Sequence, residues 1–276
     1  MRADCLLAFR SRGKSGHQLI IISRGAQGGP PARPPGGLIL ASVDVEWTKN
    51  YRVRNGNVPF CYSVTWVALP APGVPVSLAE TGFTCTSAYV EGTAETGDLI
   101  ASADGALAEV IEHADLVVGH QLCSDLAVLG HAAGRPPPAV TALRAAWHQR
   151  GPAAGGGPRV VDTRYDIGHV LSGTSRRLVD VCADLGLDVT QPELRGTSMT
   201  ALHRRWTEAG DTAAREKISV LNLRHSLSTA LAALRASGAD RREGGLNVNR
   251  MLADGLGDAF AWTASPAFTA LLGAPR

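Results

Sequence analysis

The chain has 276 residues, a formal net charge of +2, 45% hydrophobic residues and 19% charged residues. That composition excludes wholesale disorder, collagen-like repeats and coiled coils, and no apolar run approaches the roughly 18 residues that a membrane span requires. A charge this small does not point to a nucleic-acid or membrane partner through bulk electrostatics, so any partner must be argued from local sites.

Residues 1–37 begin with mixed basic residues and the short apolar run HQLIIIS (17–23), then pass into GAQGGPPARPPGG (25–37). The run is too short and too irregularly flanked for a signal peptide. A stretch so rich in glycine and proline buries too little apolar surface to offset the entropy of ordering, so this leader is expected to be disordered or loosely attached, free to engage a protein partner. LILASVDVEWT (38–48) and VPFCYSVTWVAL (58–69) then read as a hairpin, with FTCTSAYV (83–90) as a third antiparallel strand.

The period changes at residue 98. Leu99, Ala103, Leu107, Val110 and Ile111 recur at helical spacing, and the short apolar run DLVVGH (115–120) follows, a helix-to-buried-strand pattern that belongs to a parallel crossover. SDLAVLGHAA (124–133) predicts a helix starting near Ser124 or Asp125 and ended by RPPP, with a further helix over 139–150. RVVDT (159–163) is another short buried strand, 175–189 a helix closed by Gly186, and 213–236 a long helix with Ile218, Leu221, Leu231 and Leu234 turned inward. The expected fold is therefore α/β, a mixed five-stranded sheet of three antiparallel and two parallel strands with helices on both faces. The domain spans 38–236, and residues 237–276 form a tail that the pattern does not place.

Cys5, Cys61, Cys85, Cys123 and Cys182 make no C-x-x-C pair. A structural zinc or a disulfide framework is thereby disfavoured, and a reducing, cytoplasmic setting is expected. The chemistry concentrates elsewhere. Asp44 and Glu46 lie two residues apart in an apolar strand and so project from one face, an arrangement that is costly unless a cation sits between them. Hard divalent ions such as Mg²⁺ take oxygen ligands of this kind. Asp125 follows a buried strand at the start of a helix, where a capping role competes with a role in the crevice at the strand's end.

Taken together, VDVEW, then VVGHQLCSDLAVL with Gln121 where the pattern has asparagine, then VVDTRYD resemble the DEDD superfamily of 3′–5′ exonucleases over roughly residues 38–236. The closest branch is the DnaQ-like type on a ribonuclease H-like fold. The resemblance implies a two-metal site for Mg²⁺ or Mn²⁺ that hydrolyses phosphodiester bonds at the 3′ end of a single strand, DNA or RNA. It further implies Asp44, Glu46 and Asp125 as metal ligands and His225 as general base. Trp47, Thr48 and His120 would lie against the substrate, while Asp162 would support structure. One departure stands out: the pattern requires aspartate at 230, and the chain has Ala230. Asn222 and Glu216 are candidate substitutes, and a histidine merely satisfied within its helix is an alternative for His225. The competing expectation is a catalytically weak or inactive domain that binds nucleic acid or a protein partner. Arg176-Arg177, Arg204-Arg205 and Arg241-Arg242 are candidate phosphate contacts and Trp206 a candidate stacking platform, each with a surface or core role as the alternative.

Overall fold

The computed structural model describes residues 8–12, 18–25, 28–48, 56–150, 157–240 and 244–273. Five strands fall where hydrophobic period and β-branched content place them: β3 (Leu38–Thr48), β4 (Val58–Leu69), β5 (Thr84–Val90), β6 (Leu116–Gly119) and β7 (Arg159–Asp162). β3, β4 and β5 form an antiparallel meander, and β6 and β7 add in parallel beyond β3, giving a mixed sheet. The sheet is larger than the expected five strands. β1 (Ala8–Arg12) and β2 (Gln18–Arg24) extend it past β5, in the order β1-β2-β5-β4-β3-β6-β7.

The leader is thus not loose throughout. Leu19 and Ile22 of β2 are buried, because an apolar, β-branched run lies beside the free edge of β5 and pairs with it. The following residues are fastened as well: Thr84 Oγ1 donates to the carbonyl of Gly29 at 2.6 Å, and Arg33 pairs with Asp115. Gly28, at φ +78°, lies so close to β5 that a Cβ would stand 2.2 Å from Thr86 Oγ1.

Two apolar layers flank the sheet. On one face, Val43, Val45, Tyr62, Val64 and Trp66 pack against α1 (Thr96–His113), α2 (Leu122–Ala132) and α3 (Pro138–His148). On the other, Leu40, Val67 and Val118 pack against α4 (Leu178–Asp184) and α6 (Thr212–Ala236), with α5 (Met199–Ala209) leading into α6. From Ile218 to Arg235 every residue of α6 except His225 is buried, so the helix has no solvent face over that length.

The tail supplies the cover. β9 (Leu246–Asn247) pairs in parallel with β8 (Leu187–Asp188), and α7 (Val248–Leu256) and α8 (Pro266–Thr269) bring Val248, Leu252, Leu256 and Phe268 into the α6-side core. The domain accordingly runs past residue 236. Among the described residues no helix is long and apolar enough to cross a membrane.

Candidate metal centre

Even-numbered residues of β3 face α6, as the alternation of a strand requires, so Leu40 joins the α6-side core and Asp44 and Glu46 project beside it. The register with β4 shifts between Glu46 and Trp47, a bulge immediately past the second carboxylate. β3 pairs with β6 only from Leu40 to Ser42, so the backbone beyond is open on that side. Asp125, in the first turn of α2, accepts a hydrogen bond from the Val45 N–H there.

Across from these carboxylates lies α6. Its register is set by a polar seam on β4: Ser63 Oγ donates to the Asn222 carbonyl at 3.1 Å and to Ser226 Oγ at 3.0 Å, and Thr65 Oγ1 lies 2.7 Å from Ser226 Oγ. Asn222 and Ser226 are four residues apart and therefore share one face of the helix. That seam places Asn222 Nδ2 at 2.6 Å from Asp44 Oδ2, donating to it. One turn on, His225 Nδ1 stands 3.0 Å from Glu46 Oε1 and 3.6 Å from Asp44 Oδ2. Its Nε2 lies 2.9 Å from Gln191 Nε2.

Asp44, Glu46 and His225 each offer a ligand atom within 4.8 Å of the others. Burial, then the charge of Asp44, pushes Glu46 up to about 7. Burial opposes the charged form of His225, but its contacts with Asp44 and Glu46 outweigh that and raise it to about 10. Asp125 is buried, and desolvation followed by the charges of Asp44, Glu46 and Asp162 pushes its carboxyl well above the usual range. Asp125 Oδ2 has no hydrogen-bond partner among the described residues. A buried, orphaned carboxylate oxygen beside two further carboxylates is a donor set suited to a hard divalent cation.

Position 230 lies elsewhere. Eight residues beyond Asn222 it is about 12 Å further along the helix, and Ala230 is fully buried in the apolar cluster with Leu40 and Val118. The residue facing Asp44 is Asn222, one of the two candidate substitutes, and its i,i+4 partner Ser226 and the alternating Cys61, Ser63 and Thr65 are the further signal in the sequence. Glu216 is not a substitute, since it accepts a hydrogen bond from the Trp262 N–H at 2.9 Å.

The residues expected at the substrate are engaged within the fold. His120 Nδ1 lies 2.9 Å from Thr163 Oγ1, and its Nε2 is 3.0 Å from the Arg176 carbonyl, while burial lowers its pKa to about 4. Trp47 is half-buried against the α1-side core, and Thr48 Oγ1 donates to the Val58 carbonyl at 3.4 Å. Asp162 is structural as expected: it accepts from the Gln121 N–H at 2.8 Å and from Trp147 Nε1 at 2.9 Å. Gln121 itself has φ +66°, a left-handed conformation that asparagine tolerates better.

Of the remaining candidates, Trp206 packs on the core and donates to the Val90 carbonyl at 2.9 Å. Arg204 pairs with Glu208, Arg205 with Asp211 and Arg177 with Asp180, and Arg176 donates to the Gly173 carbonyl. Arg241 and Arg242 lie outside the described residues. No protein-family model matches the chain, and no curated protein matches it in sequence.

Proposed function

We infer that this protein is a metal-dependent 3′–5′ exonuclease of the DnaQ-like type on a ribonuclease H-like fold. The observation that carries the reading is the cluster of Asp44 and Glu46 on β3 with His225 on α6, beside the buried Asp125 of α2, whose Oδ2 has no hydrogen-bond partner among the described residues. The position agrees: Asp44 and Glu46 lie past Ser42, where β3 stops pairing with β6 and the central strand is left open on that side.

Asp44, Glu46 and Asp125 would hold Mg²⁺ or Mn²⁺. Such an ion offsets charge on a phosphodiester and makes the attacking water more acidic. The chain's own residues prepare the site by keeping the carboxylates desolvated and by fixing Asp44 through Asn222. His225 Nδ1 stands against Glu46 Oε1, so it would act as a base only once that contact opens.

One observation favours a second reading, a domain that binds nucleic acid without cutting it. The residue opposite Asp44 is an uncharged amide, and His225 already bridges the two β3 carboxylates. A 5′-labelled single strand incubated with Mn²⁺ separates the two. The wild type is expected to shorten it from the 3′ end and Asp44→Asn to leave it intact. Full activity in Asp44→Asn would overturn the site, and metal-indifferent binding without cleavage would establish the second reading.

A further inference from the structure

We propose that this site holds a single divalent cation, and that Asn222 is a positioning residue for Asp44 rather than a ligand. The inference rests on the metal-dependent reading above and fixes the stoichiometry of that same site.

The amide of Asn222 has one chemically acceptable orientation. On one side stand two acceptors, Asp44 Oδ2 at 2.6 Å and the Asp44 carbonyl at 3.3 Å, so the NH₂ group must face them. On the other side the buried Cys61 thiol, 3.5 Å away, donates to Asn222 Oδ1. Inverting the amide would set its oxygen against two oxygens and its NH₂ group against the sulfur. The helix cannot slide to relieve this, because Ser63 and Thr65 hold Asn222 and Ser226 in register.

This orientation has direct consequences for metal binding. The only Asn222 atom able to ligate a hard cation, Oδ1, is turned toward Cys61 and away from Asp44. Asp44 Oδ2 accepts an N–H whose hydrogen carries partial positive charge, on the side that faces α6. A second cation at that oxygen would meet the amide hydrogen. Two dications held roughly 3.5–4 Å apart repel strongly, and an amide adds no charge to offset them. A first cation has no like charge to meet once His225 moves from between Asp44 and Glu46, and Glu46, Asp125 and the other oxygen of Asp44 then remain to hold it.

The test is Mn²⁺ titration of the full chain by calorimetry, with electron paramagnetic resonance on the same samples, counting only ions lost in Asp44→Asn. The wild type is expected to bind one ion with an uncoupled six-line spectrum. Asn222→Asp is expected to bind a second ion and show a spin-coupled spectrum. Asn222→Ala is expected to keep one ion and bind it about ten- to a hundredfold more weakly, through loss of a hydrogen bond to a charged group. Two coupled ions in the wild type, or loss of all binding in Asn222→Ala, would overturn the proposal while leaving the metal-dependent reading intact. No Mn²⁺ bound by the wild type would overturn both.

Discussion

Glu46 and His225 share a hydrogen bond, and their proton equilibria make the metal-free protein sensitive to pH. Glu46 is an acid whose folded pKa, about 7, lies above its ordinary 4.5, so its ionisation costs stability, beginning near 4.5 and complete above about 7. His225, raised from 6.5 to about 10, contributes stability that is whole below 6.5 and lost as pH rises through about 10. Both effects lower metal-free stability as pH rises. Between about pH 5 and 8 the wild type is expected to lose on the order of 2–3 kcal/mol relative to Glu46→Gln, measured by thermal or urea unfolding. Added Mn²⁺ is expected to stabilise the wild type more at the upper end of that window, because the ligands must be deprotonated. Parallel pH profiles for the two proteins would show that Glu46 is not held as described. Of the residues that the sequence singles out, Asp44, Glu46 and His225 lie together in the fold. The sequence marks Asn222 only as a substitute ligand; that it donates to Asp44 instead could not be read, because a motif fixes spacing along the chain, whereas the register of α6 is decided by hydroxyls on β4.

The elements repeat that contrast. β3 to β7 and the helices α1, α2, α3 and α6 follow from period and punctuation, since each has one strongly apolar stripe or run between turn residues. The inward face of α6 does not follow, because the helix is buried on all sides and its sequence marks no single stripe. β2 was obscured by the glycine and proline around it. Its stability comes from pairing with β5, a contact across more than 60 residues that local composition cannot report. The packing of α6 also decides what Ala230→Asp does. A carboxylate there enters the apolar cluster of Leu40 and Val118 with no partner, so the variant is expected to lose several kcal/mol of stability, on the order of 3–5, and to bind Mn²⁺ no better when folded. Urea unfolding followed by circular dichroism checks this. A stable variant with improved Mn²⁺ affinity would place position 230 at the metal and refute the α6 register.

For the molecule as a whole, the decisive contact is a fully buried ion pair beneath the tail. Arg224 on α6 makes two 2.7 Å bonds to Glu193, and its Nε donates to Asn249 Oδ1 on α7 at 2.7 Å. Trp262 Nε1 donates to Glu193 Oε1 at 2.9 Å. One network thus joins α6, the segment that carries Gln191, and the tail, and so steadies both sides of His225. Removing one partner strands a buried charge. Arg224→Met alone is expected to cost about 3–5 kcal/mol, and the double variant Arg224→Met with Glu193→Leu distinctly less. Equal losses in the two would mean that the pair contributes through shape alone. The tail could not be placed from sequence because its apolar residues form short helices that pack largely on a long helix whose own sequence marks no single stripe.

The proposed activity depends on Asp44 and Glu46 holding a divalent cation. Crystals of the wild type grown with Mn²⁺ and measured for anomalous scattering would test that claim most directly. An anomalous peak ligated by Asp44 and Glu46 is expected, with His225 displaced from between them. Saturating Mn²⁺ with no peak at that position, and His225 still bridging the two carboxylates, would contradict it.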